Sequence, residues 1–219
     1  MNKIKISPSI LSADFAKMGE GVIKAQEWGA DYIHIDIMDG VFVPNLTFGM
    51  PMVKALRKYA TIPFDVHLMI VNPEKFTDRF IQSGADIITF HPDVCADVRG
   101  TLKSIRDKGV KAGLVINPDV DVNAALPYID EIDILLLMSV FPGFGGQKFI
   151  TGVLEKISTA KEMIGDRNIE LEIDGGVTTD NIDEILSRGV NVVVAGSAIY
   201  NAEDPGYAVR RLRGCTKRL

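Results

Sequence analysis

Cysteine, long apolar runs and clustered positive charge are all scarce in this chain, and each scarcity excludes something. Cys95 and Cys215 are the only cysteines. One disulfide is possible on paper, but so low a count fits a reducing, cytoplasmic setting better than a disulfide-stapled secreted domain. The longest apolar run, Ile134-Leu-Leu-Leu-Met138, is far shorter than the roughly 20 residues that span a bilayer. A strand buried on both faces explains it, so no membrane is expected as a partner. The formal net charge is −5, which argues against nucleic acid and anionic lipid surfaces. The basic residues Arg210, Arg211, Arg213, Lys217 and Arg218 read as a solvated helix end. No signal peptide is evident, because Met1-Asn-Lys-Ile-Lys-Ile reads as a first strand. No Pro- or Ser-rich linker divides the 219 residues, so a single domain over 1–219 is expected.

What the chain does have is a regular alternation. Strand-like runs begin near Ile4, Tyr32, Phe64, Ile87, Lys111, Ile134, Glu170 and Asn191. Between them lie helical patterns at Asp14–Trp28, Gly49–Tyr59, Glu74–Gln82, Asp97–Lys108, Asn123–Ile129, Val153–Ile164, Thr179–Ser187 and Asp204–Leu212. Ser12-Ala-Asp14 and Thr178-Thr179-Asp180 offer N-caps, and Gly29, Gly84, Gly109 and Gly189 stand where helices end. Alternating β and α elements imply a parallel sheet. Eight such units at a spacing of roughly 25 residues fit an α/β fold of the (β/α)8 barrel type, with an open doubly wound sheet as the alternative.

Polar residues at strand ends favour the barrel, because barrel enzymes keep their chemistry at the C-terminal ends of several strands. His34 and Asp36 are i and i+2 on one strand and share its inward face. His67 closes the next strand, and Asp174 closes the seventh, just before Gly175-Gly176. If the strands form one barrel, all four gather at one mouth, with the two aspartates facing a bound substrate from opposite sides. Two imidazoles and two carboxylates suit one divalent Zn, Fe, Mn or Co ion better than Mg or Ca. The third histidine, His91, also ends a strand. It is left outside the ligand set, because another ligand crowds a four-coordinate site.

Glycine marks the other half of the expected site. Gly175-Gly176 follows strand 7 and Gly196-Ser197 follows strand 8, the pair of loops that in barrels often binds phosphate. Pro142-Gly143-Phe144-Gly145-Gly146-Gln147 follows strand 6 and reads as a lid whose N–H groups can also reach an anion. Met38, Met69 and Met138 stand at strand ends, as core filler or as an apolar collar around a reactive intermediate.

These motifs, in this order, resemble the ribulose-phosphate 3-epimerase family. The resemblance rests on Ser7-Pro-Ser9-Ile-Leu-Ser-Ala-Asp14, His34-Ile-Asp36-Ile-Met-Asp39-Gly40 with Phe42-Val-Pro-Asn45, and His67-Leu-Met69. Pro142 to Phe149, Asp174-Gly-Gly176 and Ala195-Gly-Ser197 extend it over nearly the whole chain. It implies a metal-dependent isomerase of the pentose phosphate pathway that interconverts D-ribulose 5-phosphate and D-xylulose 5-phosphate through an enediolate. The metal ligands would be His34, Asp36, His67 and Asp174, and Asp36 and Asp174 would be the acid/base pair. Ser9 and His67 would contact the sugar. Gly143, Phe144, Gly145, Gly146, Gly175, Gly176, Gly196 and Ser197 would hold the substrate, mostly its phosphate.

Two positions depart from the family pattern. Phe141 stands where a polar residue is usual. His91-Pro92-Asp93 is closer to the His-Pro-Glu of allulose-6-phosphate 3-epimerases than to the usual His-x-Glu. Both are expected near the pocket mouth, where they bear on substrate chain length. The alternatives are therefore D-allulose 6-phosphate as substrate, or a non-catalytic sugar-phosphate-binding barrel. A phosphosugar lyase or decarboxylase is disfavoured, because no inward lysine is evident. A homo-oligomer is expected.

Overall fold

The computed structural model describes residues 3–215. Met1 and Asn2, assigned above to the first strand, and Lys217 and Arg218, assigned to a helix end, lie outside the described residues. Eight strands follow the expected order: β1 (Lys5–Pro8), β2 (Ile33–Met38), β3 (Phe64–Met69), β4 (Ile87–Phe90), β5 (Lys111–Ile116), β6 (Ile134–Met138), β7 (Glu170–Asp174) and β8 (Val192–Ala195). They form one parallel sheet in the order β1-β8-β7-β6-β5-β4-β3-β2. A Ser9–His34 bridge joins the two ends of that order. Ile6 O also accepts the N–H groups of Asp31 and Tyr32 at 2.8 and 3.2 Å. An open sheet would leave β1 and β2 as separate edges, so the doubly wound alternative is excluded and the fold is a (β/α)8 barrel.

The helices are α1 (Met18–Glu27), α2 (Met50–Arg57), α3 (Thr77–Gln82), α4 (Val98–Arg106), α5 (Val153–Ile164), α6 (Ile182–Ser187), α7 (Ser197–Tyr200) and α8 (Pro205–Leu212). The glycines at 29, 84, 109 and 189 all take positive φ, between 76° and 106°, where a side chain would strain the turn into the next strand. Asp14 caps a 3-10 turn ahead of α1 by accepting the Ala16 N–H. Thr178 does not cap a helix directly. It accepts the Asp180 N–H in a turn, and α6 begins only after Asn181. Between β5 and β6 the expected α-helix is a 3-10 helix instead, Val122–Glu131. Pro127 inside it has no N–H to give an i−4 carbonyl, which disfavours α-helical pairing there. The short helix α7 was not anticipated.

Strands β2, β3 and β6 are buried at every position. Their outward residues, such as Ile33, Ile35 and Ile37 on β2 or Phe64, Val66 and Leu68 on β3, join the main apolar core with the helices. The alternate residues face the barrel axis, and there the chain places its polar groups. At the lower end Tyr32, Ile87, Ile134 and Val192 form a plug. Lys5 and Lys111 reach across this end to Glu170, at 2.5 and 2.8 Å. The expectation of no inward lysine is therefore corrected. Both are the first residues of their strands, however, so they close the floor, one barrel length from the mouth. Among the described residues, no helix is long and apolar enough to cross a membrane.

Candidate active site

Three expected ligands sit on adjacent strands because β2 and β3 pair in register, with Asp36 opposite His67. Asp174 ends β7, across the barrel. One ligand atom from each of His34, Asp36, His67 and Asp174 falls within 4.8 Å of all the others. The atoms that converge are His34 Nε2, 3.3 Å from Asp36 Oδ1 and 3.9 Å from Asp174 Oδ2, and His67 Nδ1, 3.5 Å from Asp36 Oδ1. His34 starts a layer lower, and its longer side chain makes up the difference. Both imidazole nitrogens are buried without a hydrogen-bond partner. Two unpartnered ring nitrogens beside two carboxylate oxygens form a donor set that one divalent cation satisfies once it displaces their protons.

The surroundings fix these side chains. Ser9 Oγ donates to Asp36 Oδ2 at 2.6 Å, leaving Oδ1 for the cluster. Ser9 is also the turn residue that ends β1, its Oγ accepting the Leu11 N–H. On the opposite side of His34, Nδ1 lies 2.7 Å from Asp65 Oδ2, which also accepts from Ser7 Oγ at 2.9 Å. An imidazole whose far nitrogen is tied to a carboxylate is held in one tautomer and made a better ligand. Asp65, Glu172 and His34 form a second, deeper group of potential ligands. The 2.7 Å contact there is a hydrogen bond that leaves no space for a cation between the two groups. His67 Nε2 meets His91 Nε2 at 3.0 Å.

Sequence reasoning missed Ser7, Asp65 and Glu172. The signal was present. Asp65 is two residues before His67 and Glu172 two before Asp174, so strand alternation puts both on the inward face, one layer below the ligands.

Electrostatics separate the two aspartates. Burial opposes a charge on Asp36, but the adjacent His34 and His67 outweigh it and hold its pKa well below the carboxylate range. Asp174 is pushed up to about 6 by burial and by the charge of Asp36. Burial also works against charge on His34, yet Asp65 and Asp36 raise its pKa well above the ordinary imidazole value. Glu172, buried and facing Asp65, is held well above the usual carboxylate range. Burial and His67 together hold the His91 pKa well below the ordinary imidazole value.

Above the cluster opens a cavity of ≈ 400 Å³. Every other residue assigned to substrate by resemblance lines it: Ser9, Gly143, Phe144, Gly145, Gly146, Gly175, Gly176, Gly196 and Ser197. His34 and His67 lie beneath its wall. Met38, Met69 and Met138 ring it, all buried, as the collar reading requires. At Gly176, with φ 65°, a Cβ would strike the backbone of Lys148 and Phe149. The loop after β7 thus lies directly against the loop after β6, with space for backbone alone. Asn45 Nδ2 donates to Gly143 O at 2.8 Å and ties that lid to the loop after β2. Phe141 and Asp93 do not line the cavity. Phe141 is exposed beside the lining residue Pro142, and Asp93 borders a separate hollow beside β5.

The pattern of the ribulose-phosphate 3 epimerase family matches residues 5–200. Ribulose-phosphate 3-epimerase of Bacillus subtilis is 45% identical over 214 residues, covering 96% of this chain and 99% of that protein. The Escherichia coli K12 protein of the same name is 45% identical over 216 residues, covering 97% and 96%. The tryptophan synthase α-subunit of Pyrococcus furiosus superposes with a TM-score of 0.72 at 19% identity, over 98% of this chain and all of that one, a likeness of fold alone. The family match and near full-length identity to its members show that this chain is an isomerase belonging to the ribulose-phosphate 3-epimerase family.

Proposed function

We propose that the chain interconverts D-ribulose 5-phosphate and D-xylulose 5-phosphate by moving the C3 proton across the sugar plane. One observation carries this reading: two aspartates with oppositely displaced pKa values face each other at the floor of a glycine-lined cavity. Pairs of titratable groups pushed apart by their surroundings are suited to acid and base roles. In one direction Asp36, ionised at neutral pH, takes the proton from C3, and Asp174, in the molecules where it holds a solvent-derived proton, returns that proton to the opposite face of the enediolate. In the other direction the roles exchange.

His34 Nε2, Asp36 Oδ1, His67 Nδ1 and Asp174 Oδ2 would hold one divalent cation, of Zn, Fe, Mn or Co. When bound, such an ion acts as a Lewis acid on the substrate ketone, an effect worth several kcal/mol. Ser9 keeps Asp36 turned toward substrate. The loops carrying Gly175, Gly176, Gly196 and Ser197 receive the phosphate, and residues 143–146 close over the sugar with Phe144 outermost. The methionine collar keeps water from the intermediate. We also assign the protein to the cytoplasm, as a homo-oligomer. Both described cysteines are unbridged, and Val41, Leu46 and Phe144 leave apolar surface exposed around the mouth.

The test is the reaction run in deuterated water, followed by NMR. Deuterium enters C3 of both pentuloses if the reading holds. A product without deuterium overturns the proton-transfer mechanism. A higher kcat/KM on D-allulose 6-phosphate than on D-ribulose 5-phosphate overturns the pentulose assignment.

A further inference from the structure

A neutral imidazole carries one proton on two nitrogens, so a ligand histidine must keep its proton on the nitrogen that faces away from the cation. His34 does this through Asp65. His67 has no carboxylate behind it. The group at its rear nitrogen is another imidazole, His91, with Nε2 3.0 Å from His67 Nε2. Both rings are fully buried. His91 is further packed against Phe42, ring centres 4.6 Å apart, and does not line the cavity. It is therefore placed to act on His67 and not on substrate.

One hydrogen joins the two Nε2 atoms, and it has two possible owners. If His91 owns it, His67 must carry its own proton on Nδ1, pointing at the cluster. The nearest acceptor there, Asp36 Oδ1, is 3.5 Å away, and Nδ1 has no hydrogen-bond partner. If His67 owns it, its Nδ1 presents a lone pair to the cluster, and His91 carries its proton on Nδ1, likewise buried without a partner. The first aims the His67 Nδ1 hydrogen toward the Asp36 carboxylate and the second leaves the His91 Nδ1–H unpaired, so the protein alone does not select the second. A cation does, since only the second arrangement offers it a lone pair from His67.

We propose that His91 is a positioning residue for the cation: its Nε2 accepts the Nε2 hydrogen of His67 and thereby commits His67 Nδ1 to the metal. The inference rests on the cation site proposed above. It gives the two ligand histidines unlike supports. The Asp65 carboxylate behind His34 holds its hydrogen in every state. The neutral ring behind His67 lets the shared hydrogen change owner when the cation leaves.

Zinc is a suitable probe, being diamagnetic and free of redox chemistry. In the zinc-loaded protein with ¹⁵N-labelled histidine, NMR should find His67 protonated at Nε2 and His91 protonated at Nδ1. A proton on His91 Nε2 in that state overturns the inference, and this measurement needs no variant. His91→Leu removes the acceptor, and zinc affinity, read by competition with a coloured chelator, should fall about 10- to 100-fold. His91→Gln places an amide oxygen near the lost nitrogen and should recover most of that loss. Wild-type affinity in His91→Leu, or no recovery in His91→Gln, overturns the inference while leaving the cation site standing. If the parent protein binds no zinc, the cation site falls and the inference with it.

Discussion

Asp174→Asn separates what the site needs for chemistry from what the fold needs for stability. In the cation-free protein the Asp174 pKa is raised from 3.8 to about 6 by burial and by Asp36. At pH 7 the native carboxylate is ionised against that resistance, whereas in the unfolded chain it ionises freely. A displacement of about two pH units corresponds to roughly 3 kcal/mol held against folding. The figure is a ceiling, because the side chain keeps 16% of its surface exposed and its titration is shared with its neighbours.

The raised pKa means that the folded protein holds a proton the unfolded chain has already released. Stability from this group is therefore present below about pH 4 and lost as pH rises toward 6. Asparagine cannot ionise and removes the penalty. With a chelator present at pH 7, the variant should melt higher than the parent by up to about 6–12 °C, taking 2–4 °C per kcal/mol for a domain of this size. At pH 4 the gap should close. With saturating zinc the order should reverse, because the variant has lost an anionic ligand. Turnover should fall by about 10²–10⁴, the range for loss of a positioned acid or base. Calorimetry across pH, with and without zinc, and a coupled epimerisation assay read all of these. A variant that melts lower than the parent at pH 7 in chelator, or one that retains near-parental turnover, refutes the reasoning.

Three further outcomes follow from the same geometry. Divalent-cation affinity should fall about tenfold per pH unit below pH 6 for each ligand proton displaced, since protons compete for Asp174 and His34; a flat profile from pH 7 to 5 in a chelator-competition titration contradicts this. Ser9→Ala removes a charge-assisted hydrogen bond to Asp36 worth about 1.5–3 kcal/mol, and should lower kcat about 10- to 100-fold with far less change in KM. Gly176→Ala forces a left-handed alanine against the Lys148–Phe149 backbone; KM for the phosphorylated sugar should rise sharply while cation affinity holds, and an unchanged KM argues against the phosphate assignment.

The legible parts of the sequence were those written in local periodicity. Strands such as Phe64–Met69 alternate core-facing with axis-facing residues, so their polar members had only one buried place to go, the barrel interior. Helix-ending glycines announced themselves because the left-handed turns they occupy exclude side chains. The helix expected after β5 failed because its pattern is amphipathic while Pro127 denies it a hydrogen bond, and periodicity alone does not weigh the two. Lys5 and Lys111 begin strands that look ordinary in isolation, and only closure of the ring turns them onto Glu170.

By itself the chain determined eight βα units and the inward placing of His34, Asp36, His67 and Asp174 at their strand ends, because side-chain direction along a strand depends on neighbours two residues apart. Tertiary structure alone decided how those side chains are oriented and charged. Ser9 meets Asp36 only because the barrel closes β1 onto β2, whereas Asp65 and His91 meet His34 and His67 through the pairing of neighbouring strands β2, β3 and β4. Proton placement and the split between Asp36 and Asp174 depend on burial and on distances of a few ångströms across that closure, which no linear pattern encodes.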